Sequence, residues 1–159
     1  MSDKQINELA ENIVAFLDKY NIDGIVYSFK KYTSPNFIDK LSTKLKKINP
    51  NIIISIAPSV KDYKLVTTGR SNDYDKTIQD GNIDYIMLLE FNTYPEYDPN
   101  FIFDSYEKII KNTKIPLKTK IYIVEPTTAV AGGVDTIYPS QGDATTSLTT
   151  QQAVKLMLP

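Results

Sequence analysis

Cysteine, histidine and tryptophan are all missing from the 159 residues, and each absence closes off some chemistry. Without cysteine there are no disulfides, thiolate nucleophiles or thiolate metal ligands, and the redox compartment is left open. Without histidine there is no Ser–His or Cys–His relay and no imidazole to bind a metal. Any catalysis would have to run on carboxylates, lysine or tyrosine, and no metal or other cofactor is expected. Charge of one sign is scarce too: 18 basic residues face 19 acidic ones, for a formal net charge of -1. Such a balance exerts no general pull on nucleic acid or on an anionic membrane. No run approaches the roughly 20 apolar residues that span a bilayer. The N-terminal stretch MSDKQINELAEN lacks the apolar segment behind a basic one that marks a secretory signal. The expectation is a protein made soluble inside the cell, with neither membrane nor nucleic acid as a partner.

What is present suits an ordinary globular domain, with 42% hydrophobic and 23% charged residues. A chain of this size buries roughly 70% of its unfolded surface. Ser2 and Gln5 have capping-box spacing, and Ile6, Leu9, Ile13, Val14 and Leu17 recur at helical intervals, which predicts a helix from Ser2 to Tyr20. The β-branched and aromatic run from Gly24 to Phe29 predicts a strand. Ser34 and Pro35 can start a second helix, with Phe37, Leu41, Leu45 and Ile48 as its apolar stripe and a stop near Asn49-Pro50. The apolar run from Asn51 to Pro58 reads as a strand buried on both faces.

Val60 to Asp80 reads as polar and irregular, with a short helix near Asp73 to Asp80 ended by Gly81. A third strand begins at Ile83. A helix capped by Asp98 follows, with Ile102, Phe103, Tyr106, Ile109 and Ile110 as its stripe, and a fourth strand runs from Thr119 to Val124. Alternating helices and strands predict an α/β fold with a parallel sheet of about four strands and right-handed crossovers. The organisation expected is one α/β domain over 1–126 and a Thr/Ser/Gly-rich tail over 127–159, where Thr149 can cap a last short helix. There is no internal repeat.

Several segments together carry a resemblance. YNIDGIVYSFKKY, Tyr20 to Tyr32, resembles the fourth barrel strand of glycoside hydrolase family 18, the chitinase-like family with the pattern D-G-x-D-x-D-x-E. Asp23 and Gly24 match its opening pair. ISIAP at Ile54 to Pro58 resembles the fifth strand, IDYIMLLEFN at Ile83 to Asn92 the sixth, and TKIYIVEPTTAVAGG at Thr119 to Gly133 the segment after it. The resemblance implies the C-terminal half of a (β/α)8 barrel, since a closed one normally needs about 250 residues.

It also implies that the chemistry is gone. The three acidic positions after Gly24 are Val26, Ser28 and Lys30. In the family the final glutamate protonates the glycosidic oxygen, and the aspartate before it orients the acetamido group. Losing a positioned general acid costs roughly a hundredfold to ten-thousandfold in rate. Lysine also puts a cation where a positively charged transition state would form. Phe91 replaces a tyrosine of the family, whereas Asn92 is retained, and the family's eighth-strand tryptophan is absent.

Four strands with helices on one side would leave an inner sheet face and two edges to be covered by a second copy, another chain or the tail. Assembly is favoured, because the tail is polar. The resulting expectation is a non-catalytic chitinase-like protein that acts in assembly, as a homo-oligomer or with a partner chain. The alternative is a lectin-like binder of N-acetylglucosamine-containing glycans that uses Glu90, Asn92 and Tyr94, with Tyr97 and Tyr138 as further loop aromatics. A third reading is an altered enzyme that uses Glu90 or Glu125. Lys40, Lys44, Lys46 and Lys47 read as a solvated helix face. Gly69 to Asp73 and Ala131 to Gly133 are too short for a phosphate loop.

Overall fold

A computed structural model describes residues 1–28, 35–67, 74–88 and 101–124. Its elements in chain order are α1 (Asp3–Tyr20), β1 (Gly24–Tyr27), α2 (Pro35–Ile48), β2 (Ile53–Ile56), β3 (Ser59–Lys61), β4 (Lys64–Val66), α3 (Asp75–Gln79), β5 (Tyr85–Leu88), α4 (Phe101–Ile110) and β6 (Lys120–Ile123). The principal sheet has the order β1-β2-β5-β6, every pair parallel. Each strand therefore lies beside the next principal strand in the chain, with no reversal of direction across the sheet. This is the progression of one half of a (β/α)8 barrel rather than of a doubly wound sheet.

Helix ends are set locally. At the start of α1 the Ser2 hydroxyl accepts from the Gln5 N–H at 3.3 Å and the Gln5 side-chain oxygen accepts from the Ser2 N–H at 2.8 Å, the expected capping box. At its end Asn21 takes a left-handed conformation (φ 53°), so that its N–H reaches Asp18 O and the Ile22 N–H reaches Leu17 O. The same double closure ends α3: Gly81, at φ 71°, donates to Ile78 O, and Asn82 donates to Thr77 O. Both closures turn the chain directly into a principal strand.

The core lies between the sheet and the helices. Ile6, Ala10, Val14 and Leu17 of α1 are buried, as are Ile38, Leu41, Ser42 and Leu45 of α2. The buried face of α2 is thus rotated from the expected stripe, with Ile38 inside and Ile48 exposed. The apolar burial of Ile38, Leu41 and Leu45 against the sheet sets this face, and the Ser42 hydroxyl, brought beneath the helix with them, donates to the Tyr27 phenol at 3.1 Å. The expected irregularity of 60–80 also needs correction. β3 and β4 form an antiparallel hairpin, with Ser59 opposite Val66 and Val60 opposite Leu65. Its two-residue turn, Asp62-Tyr63, has both φ values positive (50° and 59°), as a tight hairpin requires. Neither residue is glycine, so the usual sequence signal is missing. The predicted caps Ser34 and Asp98 and the whole tail 127–159 lie outside the described residues.

Gly24 is required by close approach. A Cβ there would sit 2.0 Å from the Ile53 carbonyl oxygen on the paired strand. Gly24→Ala must push β1 off β2, and we expect a loss of about 2 kcal/mol or more, read from urea unfolding midpoints at unchanged slope. Burial pushes the Tyr27 phenol up to about 12, against a smaller opposing effect of the Ser42 hydroxyl. The folded value exceeds the unfolded one, so this stabilisation is complete below about pH 10 and is lost as pH rises toward 12. It amounts to about 2–3 kcal/mol. Tyr27→Phe should flatten that part of the alkaline stability profile relative to the parent chain, as followed by circular dichroism.

Candidate functional site

Side chains alternate across a strand, and register partners on parallel strands share a face. Two rows therefore run straight across the sheet. One joins Tyr27, Ile56, Ile86 and Ile121, and it faces the helices, because Tyr27 meets Ser42 of α2. The other joins Val26, Ser55, Tyr85 and Lys120 and faces away from them, with Met87 and Tyr122 paired one step further along. This second face is the one a closed barrel would turn inward.

Its character differs from that of the helix side. Ile54, Ile56, Ile86 and Leu88 are completely buried on or beside the helix-facing rows, whereas Val26 is 50% and Tyr122 48% exposed. Ser55, small and central, is buried. The Tyr85 and Tyr122 rings lie 5.4 Å apart at a tilt of 46°, and the Lys120 ammonium lies 5.9 Å from the Tyr85 ring centroid. Edge-tilted rings beside a cation form a ready stacking surface. Among the described residues this face carries two phenols, one ammonium and no carboxylate. What it can do is stack, pack and accept or donate hydrogen bonds through hydroxyls.

The structure separates the residues singled out from the motif. Asp23 is exposed below the start of β1, and its carbonyl accepts from the Ile53 N–H at 2.9 Å. Gly24 is held against Ile53. Val26 and the exposed Ser28 have the same strand parity and belong to the inner row. Lys30, Glu90, Asn92, Tyr94 and Glu125 lie outside the described residues, as do Phe91, Tyr97 and Tyr138. Tyr85, Met87, Lys120 and Tyr122 were missed, although period-two alternation in YIML and KIYI would have placed them on the face of Val26. The basic run of α2 departs from a solvated face at Lys46, whose ammonium donates to Asp84 at 2.7 Å and to Ile52 O at 2.7 Å. Lys40 pairs with Asp3, which holds the Asp3 carboxyl below its ordinary range. No cluster of three acidic or metal-ligating side chains, and no helix long and apolar enough to cross a membrane, occurs among the described residues.

No protein-family model matches the chain, and no curated protein matches it. Among solved structures, the spore cortex-lytic enzyme SleL of Bacillus megaterium QM B1551 superposes with a TM-score of 0.54 at 17% identity. The match covers 98% of this chain and 37% of the SleL chain, so the chain spans a little over a third of that protein's length. At this identity the similarity is one of fold: a parallel α/β sheet matching part of a larger lytic enzyme.

Proposed function

We propose that this chain is a non-catalytic relative of the chitinase-like family 18 hydrolases that works by association, with the inner face of its sheet covered by a second copy of itself. The observation that carries the reading is the half-exposure of Val26 and Tyr122 on a sheet whose opposite face packs against helices, with Tyr27, Ile56 and Ile86 buried there. Val26 and Ser28 stand where the resembled family has carboxylates, so the row that would hold acid–base chemistry holds packing groups instead. β1 and β6 are each paired on one side only among the described residues, so strand edges as well as the inner face are open to a partner. A two-fold pairing would set the Val26 row and Tyr122 of one copy against those of the other, burying both apolar surfaces at once. Light scattering should give a dimer at tens of micromolar, with Val26→Lys together with Tyr122→Lys shifting it to monomer by at least about tenfold in dissociation constant. A monomeric parent chain would sink the proposal.

The exposed Tyr122 ring beside Tyr85 favours one second reading, the binding of N-acetylglucosamine polymers by stacking without cleavage. Titration with chitin oligosaccharides at millimolar concentration should shift the amides of β5 and β6. Tyr122→Ala should weaken binding by roughly threefold to tenfold, the worth of one aromatic stack. No heat and no spectral change at that concentration removes this reading.

A further inference from the structure

On the helix side of the sheet, away from the face discussed above, a cleft of about 450 Å³ lies between the β3–β4 hairpin, α3 and the end of α4. Its floor is apolar: Ile78 and Ile109 are 3% and 2% exposed, with the half-buried Leu65 and Ile115 beside them. Its rim is cationic. Lys64, Lys108 and Lys114 all line it, and none makes an ion pair among the described residues, whereas Lys40, Lys46, Lys76 and Lys111 all do. Among the described residues the lining has one carboxylate, Asp75, which accepts a hydrogen bond from the Thr67 hydroxyl.

We infer that this cleft binds a small amphipathic organic anion, a carboxylate or sulfonate carried on an aromatic or aliphatic body. The volume falls within the roughly 300–1,000 Å³ of small-molecule sites, which are mostly apolar with a few placed polar groups. The charge balance points to an anion. Three lysines face one aspartate, and the last turn of α4 adds only about half a negative charge from its carbonyls. The three lysines stand on fixed backbone. Lys64 follows the tight Asp62-Tyr63 turn. Lys108 stands 3.7 Å from the Tyr63 ring centroid, clamping the hairpin to α4. The backbone N–H of Lys114 donates to the Asn112 side-chain oxygen at 3.0 Å, and Ile115 donates to Asn112 O at 3.0 Å, which fixes the loop. A rim whose backbone is fixed before the ligand arrives leaves only the lysine side chains to be ordered on binding.

The test uses the full chain and two probes with one ring system, 2-naphthoate and the neutral 2-naphthylmethanol, followed by amide chemical shifts. We expect saturable shifts at Leu65, Ile78, Ile109 and Ile115 with 2-naphthoate, at least about tenfold weaker binding of the alcohol, and a similar loss in Lys64→Gln/Lys114→Gln. That double variant leaves the Lys108–Tyr63 contact intact, and Lys4→Gln/Lys19→Gln controls for overall charge with expected binding unchanged. If the double variant fails to fold, Lys114→Gln alone should weaken 2-naphthoate by roughly threefold. The idea is overturned if the shifts are absent or fall elsewhere, if both probes bind equally, or if the control weakens binding as much as the cleft variant.

Discussion

The carboxylate of Asp84 fastens three elements at one end of the sheet. It accepts from the Ile54 N–H at 2.8 Å and from the Lys46 ammonium at 2.7 Å, while its own N–H donates to Ile54 O at 2.8 Å. Its carbonyl accepts from the Lys120 N–H at 2.9 Å, so β2, β5, β6 and the last turn of α2 all converge on one residue. A half-buried carboxylate meeting both an ammonium and a backbone N–H is a charge-assisted arrangement that tolerates little displacement. Because the side-chain period of a strand is two, a slip of one residue would exchange its faces. Asp84 therefore fixes which side chains become core and which become the inner surface.

The other end of that constraint is Gly24. The sheet can bring β1 against β2 only because position 24 has no side chain, and this pairing puts Val26 level with Ser55, Tyr85 and Lys120. In the chitinase-like pattern the Asp-Gly pair reads as the opening of a catalytic strand. Here the glycine has a packing role that is independent of any chemistry further along the strand.

Much of this was legible in the chain. Helical periodicity located α1 and the short strands stood out as β-branched runs, so the alternation that defines the fold could be read directly. Three features could not. The β3–β4 hairpin uses Asp62 and Tyr63 where a glycine or asparagine normally announces the turn. The rotation of α2 toward Ile38 places Ser42 against Tyr27, a pairing 15 residues apart that no local pattern carries. Lys46 looked like its neighbours Lys44 and Lys47, and only the position of Asp84, 38 residues later, draws it inward. In the candidate site, the Val26 and Ser28 row was visible from motif spacing, whereas its continuation into Tyr85, Lys120 and Tyr122 depends on register, which pairs strands across the sheet.

The order β1-β2-β5-β6 has a consequence for descent. Every spatial neighbour in this sheet is also the next principal strand along the chain, and each step crosses by one helix, with the β3–β4 hairpin added between β2 and α3. Such a sheet is modular: a βα unit can be appended or deleted at either margin without re-threading the strands that stay. A doubly wound sheet, grown outward in two directions from its middle, lacks that freedom. The architecture is thus one in which fragments and whole barrels differ by the number of units, and a unit added or removed at a margin leaves the order and register of the others as they were.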